Sequence, residues 1–126
     1  MALELSRSGF TVGKFLWIPA ASTYEGFGGM PTFGSMSLFI SSLNSGSNGN
    51  CFYIGNDREA ILVDAGISCR ETEKRMKRLG LSMTKVRAIF VSHEHSDHIT
   101  GIPALSRKYQ VPVYITPGTR LGSNIP

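Results

Sequence analysis

Directly behind the run Val86-Arg87-Ala88-Ile89-Phe90-Val91, the chain places all three of its histidines within six residues, His93-Glu94-His95-Ser96-Asp97-His98. No other feature constrains the fold as strongly. The apolar residues read as a strand buried on both faces, so the H-x-H-x-D-H segment opens at a strand end, where α/β proteins gather their ligands. Neutral imidazole and carboxylate suit zinc, manganese or iron. Alternate positions on an extended segment project the same way, so His93 and His95 are placed to grip one ion. Asp97 and His98 turn toward a neighbouring position, while Glu94 and Ser96 point away. The segment therefore reads as half of a two-metal centre; the competing reading is a solvated polar loop.

The flanking pattern supplies the architecture. Ile99, Ile102, Leu105 and Tyr109 recur at helical spacing, with Pro103 tolerable in the first turn, and residues 112 to 116 read as another short strand. Strand, ligand loop, helix and strand make a crossover unit. Upstream, a helix is expected over 69 to 79, with Ser68 and Glu71 as a capping box and Gly80 as the stop. Its inward stripe is Thr72, Met76 and Leu79. Arg70, Lys74, Arg75, Lys77 and Arg78 fall opposite. This basic side and the formal charge of +4 would suit a nucleic-acid partner. The i,i+4 pairs Glu71 with Arg75 and Glu73 with Lys77 equally suit an ordinary solvated face.

Two earlier segments carry further signals. Ser45-Gly46-Ser47-Asn48-Gly49-Asn50 permits positive φ and close backbone approach, so its amides are able to line an anion-binding concavity; such a run is also an ordinary turn between strands. Ala60-Ile61-Leu62-Val63 is an apolar strand ending in Asp64-Ala65-Gly66. Cys51 and Cys69 lack C-x-x-C spacing and fit buried, reduced thiols in a cytoplasmic protein; Cys69, at a helix start, is a candidate for a lowered pKa. No segment has the length of a membrane span, and the apolar stretch Phe15 to Ala21 is interrupted by Pro19, which argues against a signal peptide.

These motifs together resemble the metallo-β-lactamase-fold hydrolases. Within them, Ser41 to Cys51, Tyr53-Ile54-Gly55 and Asp64-Ala65-Gly66-Ile67-Ser68 are similar to the YycJ/WalJ exonuclease-like group. The resemblance runs from about Met36 to Thr116. It implies an α/β chain of the α+β sandwich type, the amino-terminal ββαβαβ half of that fold in truncated form. Residues 36–126 would form this half, and residues 1–35 a poorly ordered extension outside it. The implied metal ligands are His93, His95, Asp97 and His98, with Asp97 and His98 as the catalytic pair. Asp64 would support the loop without binding metal, and the 45–50 run would be a substrate loop.

What the resemblance implies chemically is hydrolysis of a phosphodiester, by zinc or manganese ions that lower the pKa of bound water. A lactam, thioester or lactone substrate shares the same metal core. A complete member draws three more ligands from later in the chain, yet no acidic residue follows Asp97. The expectations are therefore two divalent ions in a complete protein and at best partial occupancy here. Nucleic acid is the expected partner, and a noncatalytic chain the alternative. Strands lacking a covering layer should leave an exposed apolar face, marginal stability and a route to self-association.

Overall fold

The computed structural model describes residues 15–18 and 37–125. One six-stranded sheet runs in the sequence order β1 (Phe15–Ile18), β2 (Leu38–Asn44), β3 (Cys51–Gly55), β4 (Ala60–Val63), β5 (Val86–Phe90) and β6 (Val113–Tyr114). The first four strands form an antiparallel meander, and β4–β5 and β5–β6 are parallel. Parallel neighbours need crossovers. Helix α1 (Cys69–Arg78) and a 3-10 turn (Met83–Lys85) supply the first; α2 (Ser96–Ile99) and α3 (Ile102–Tyr109) supply the second. A short α4 (Pro117–Gly122) follows β6, capped by the Thr116 hydroxyl, which accepts from Thr119 N.

The α/β class and crossover order are those expected, with three antiparallel strands, and β1 beyond them, before the first helix instead of two. β1 pairs with β2 from Phe15 opposite Ser41 to Ile18 opposite Leu38. Four residues are too few to produce a recognisable alternation, so no strand was expected before residue 36. The rest of the expected extension lies outside the described residues.

Two adjacent cross-strand rows explain where the core sits. Ser41, Tyr53, Leu62, Ile89 and Val113 lie opposite one another in turn, and the first four are fully buried. Beneath this row pack Thr72 and Met76 of α1 with Ile102 and Leu105 of α3, each apolar side chain contributing about 1.5–3 kcal/mol. The next row is Ser42, Phe52, Val63, Phe90 and Tyr114, whose side chains point to the other face. Phe90 and Tyr114 are 41% and 54% exposed and stack on each other at 5.0 Å between ring centroids. Among the described residues, β5 is thus covered on one face only, contrary to the expectation of burial on both. An apolar run is the same whether or not the layer it calls for is present.

Helix α1 begins and ends as expected. Ser68 Oγ accepts from Glu71 N, and Gly80 takes φ +68° just past Leu79. Its charged side differs. Arg75 donates to Leu43 O and to Asn44 Oδ1 at 2.9 and 2.6 Å, tying the helix to the end of β2. Glu73 does not pair with Lys77. Its Oε1 instead accepts from Lys108 Nζ, the Tyr109 hydroxyl and Cys69 Sγ at 2.6, 2.7 and 3.2 Å, joining α1 to α3. The ammonium and hydroxyl hold the Glu73 carboxyl down at about 2. Partial burial and Glu73 push the Cys69 thiol up, opposite to the lowering that a helix start can give, and deep burial pushes Cys51 to about 12. Both cysteines are free.

Candidate metal centre

Asp64 closes β4 with φ +59°, a backbone conformation that Asp tolerates better than most residues. The turn sends its carboxylate across the carboxyl end of β5. Oδ1 accepts from Ser92 N at 2.7 Å, and Oδ2 accepts from Ser92 Oγ at 2.6 Å and from His98 Nδ1 at 2.7 Å. Asp64 is 3% exposed, so these bonds hold with little competition from water. Ser92 has one hydroxyl proton and gives it to Asp64. His93 Nδ1, 3.0 Å from Ser92 Oγ, must then be the donor of that contact. Both His93 and His98 thereby engage these partners through Nδ1 and turn Nε2 away from them.

The three imidazoles gather at one spot. The His93 ring centroid lies 4.7 Å from that of His95 and 3.7 Å from that of His98. His95 caps α2, whose first turn carries Asp97 and His98, so the second pair stands on a helix and not on an extended loop. Asp97 Oδ2 is 3.4 Å from His98 Nε2. Two ligands about 2.1 Å from one tetrahedrally bound cation are separated by about this distance, so the donor set fits a divalent ion. Among the described residues, no group of three or more His, Cys, Asp or Glu side chains is placed to hold one ion. The His93 ring lies nearer to His98 than to His95, the residue with which the sequence paired it.

The 45–50 run is a turn between β2 and β3, and it also packs on the histidine segment. Gly46 and Gly49 adopt φ +117° and +128°, and Gly49 N donates to Gly46 O. Asn50 N donates to Asp97 O at 2.6 Å while Gly66 N donates to Asn50 O at 2.8 Å. Ser45, Gly46, Ser47 and Asn48 remain exposed. This contact depends on a missing side chain, since a Cβ at Gly66 would stand 1.6 Å from the Asp97 carbonyl oxygen. Ala65 N and O bind His98 O and Gly101 N, which fastens α2 and interrupts the helix before α3. Ser92 was missed in the sequence. Its only signal there was a small hydroxyl residue between the strand and the first histidine.

Comparisons with known proteins identify the family to which this fold belongs. A family model described as the metallo-beta-lactamase superfamily matches residues 44–121, more than half of the chain. The chain is 51% identical over 79 residues to the exodeoxyribonuclease YycJ of Bacillus anthracis, covering 63% of this chain and 30% of that protein. It is 40% identical over 74 residues to the exodeoxyribonuclease WalJ of Streptococcus pneumoniae serotype 2, covering 59% and 28%. The chain therefore spans less than a third of the length of either relative. Among solved structures, a metallo-beta-lactamase of Cronobacter sakazakii superposes with a TM-score of 0.57 at 23% identity, covering 64% of this chain and 30% of that one. This last likeness concerns the fold alone.

Proposed function

Because this chain belongs to the metallo-beta-lactamase superfamily, we propose that it carries part of a metal-dependent phosphodiesterase site acting on nucleic acid. The observation that carries the reading is the pairing of Asp64 with His98 Nδ1, which directs His98 Nε2 away from Asp64 and to 3.4 Å from Asp97 Oδ2. His93 and His95 would hold one divalent ion, zinc or manganese, and Asp97 and His98 its neighbour. Such ions, when bound, bind the scissile phosphate and lower the pKa of water that attacks it. Asp64 fixes the tautomer and tilt of His98 and, through Ser92, of His93. The exposed amides of the 45–50 turn lie beside the site, where a phosphate oxygen would find donors. The names of the two nucleases favour a nucleic-acid substrate over a lactam, thioester or lactone.

A catalytic zinc normally has three protein ligands, and no group of three is assembled among the described residues, which favours weak metal binding by this chain. No helix among the described residues is long and apolar enough to cross a membrane. The test is to titrate the chain with zinc or manganese and to assay it on single-stranded DNA and on a chromogenic phosphodiester. Saturable binding that His98→Ala abolishes supports the reading. Binding that survives His93→Ala, His95→Ala and His98→Ala together would refute it.

A further inference from the structure

Opposite the buried side chains Thr72 and Met76 of α1, Arg70, Lys74, Lys77 and Arg78 fall on one face at i, i+4, i+7 and i+8, and all four are exposed. At about 1.5 Å per residue the row is about 12 Å long, which about three nucleotides of a strand cover at about 3.4 Å each. The acids of the helix do not neutralise it. Glu71 leans to Lys74 and Arg75, at 3.5 and 3.6 Å, and Glu73 is drawn off by Lys108 and Tyr109 of α3. Among the described residues, Arg70, Lys77 and Arg78 are therefore paired with no carboxylate. α1 and α3 together hold seven basic residues and two acidic ones, a net +5 in a chain whose total is +4. Positive charge is thus gathered on the helical layer, and the remainder of the chain is net −1.

Topology connects this row to the histidine segment. α1 leaves the carboxyl end of β4 and returns to the amino end of the parallel β5, so it starts where Asp64 and the histidines lie and runs away from them. Gly66, packed on the Asp97 carbonyl, stands four residues before Arg70. Arg70 is therefore the end of the row nearest the site and Arg78 the farthest. We propose that the outer face of α1 is a track for the phosphate backbone of a single nucleic-acid strand, which it leads to the histidine segment. The proposal rests on the phosphodiesterase reading and gives its substrate a binding surface outside the cation site. Lysine and arginine pair with phosphates without reading bases, so the track accepts a strand of any sequence. The face lies on the side of the helices away from the sheet. It stays available whatever covers the open row of Phe90 and Tyr114.

The experiment follows the fluorescence anisotropy of an end-labelled single-stranded DNA titrated with the full chain, over a salt series and with a chelator present so that no metal takes part. Arg70→Gln with Lys77→Gln removes two charges from the track, and Arg58→Gln with Arg87→Gln removes two exposed charges outside α1. Thermal melts confirm that each variant is folded. For wild type, log affinity should fall with log salt by about 0.7 per phosphate contact. The track variant should flatten that slope by about 1.4 and weaken binding at least about tenfold at low salt, and Arg70→Gln alone should flatten it by about 0.7. The control variant should keep the wild-type slope. Equal losses in the two double variants overturn the proposal, because total charge and not the track would then hold the strand. Absence of wild-type DNA binding overturns it too, as does a face that binds phosphatidylserine vesicles and no DNA. Manganese titrations of the same proteins judge the metal site separately. Saturable binding, equal in wild type and track variant, leaves that site standing if the track fails; no binding by wild type removes the hydrolase reading and leaves the anisotropy to decide the track.

Discussion

Asp64 and His98, 34 positions apart, meet at 2.7 Å between carboxylate Oδ2 and imidazole Nδ1 at the carboxyl end of the sheet. The bond determines which nitrogen of His98 turns away from Asp64. Since Asp64 also receives Ser92 N and Ser92 Oγ, one carboxylate fixes both ends of the segment from Ser92 to His98.

Asp64→Asn tests this bracing without disturbing the backbone, because Asn also tolerates the φ of +59° at that position. An amide has one acceptor oxygen where the carboxylate had two, so either Ser92 N or the Oδ2 cluster must face an NH2 group. The expected result is a loss of about 1–3 kcal/mol in chemical denaturation, with cation affinity lowered about 10–100-fold. Calorimetry and a denaturant melt measure the two separately. Wild-type cation affinity in the variant would exclude a bracing role.

Much of this site was legible in the sequence because its signals are local. Histidines at alternate positions behind an apolar run, and an aspartate closing the preceding parallel strand, fall within short windows. The contacts that complete the site do not. Asn50 meets Asp97 across 47 positions, and Arg75 meets Asn44 across 31. Helical spacing alone offered Arg75 and Glu73 to partners on their own helix. Glu71 and Arg75 do approach each other, at 3.6 Å, but the short bonds of Arg75 go to β2 and those of Glu73 to α3. Tertiary packing chose partners that no periodicity encodes.

Gly66→Ala should be among the most damaging single changes. A methyl group 1.6 Å from the Asp97 carbonyl oxygen has no rotamer to relieve it, and the obstacle is backbone. The 45–50 turn or the Asp97 segment must move, breaking Gly66 N to Asn50 O and Asn50 N to Asp97 O. The expected cost is at least about 3 kcal/mol. A thermal melt of the purified variant measures it, and a melting temperature equal to wild type would mean that this contact does not form.

Glu73 makes stability depend on pH at the acid end. Its carboxyl is lowered from 4.5 to about 2, chiefly by the Lys108 ammonium and then by the Tyr109 hydroxyl. A lowered folded-state pKa stabilises the native state above the unfolded value, and this stabilisation is lost as pH falls through the folded value. Wild type should therefore exceed Glu73→Gln in melting temperature by a constant margin above pH 4.5. The margin should shrink steadily between pH 4.5 and 2. Because the pair is largely exposed, added salt should reduce the margin at every pH. A difference that is flat from pH 6 down to 2 would show that the carboxylate charge contributes nothing.

The open side of the sheet makes a prediction about association. Phe52, Val63, Phe90 and Tyr114 form a continuous row on the face that α1 and α3 do not cover, and its Phe90–Tyr114 end is the most exposed. Exposed apolar rows of this kind favour self-association and bind hydrophobic dyes. Phe90→Ser with Tyr114→Ser removes the two outermost rings and leaves the buried row of Tyr53, Leu62 and Ile89 untouched. Sedimentation velocity across a concentration series should show the wild-type weight-average mass rising with concentration and that of the double variant rising less. Dye fluorescence should fall in parallel. If wild type sediments as a monomer at every concentration and the dye signal is the same in both, the row is covered in solution and this face plays no part in association.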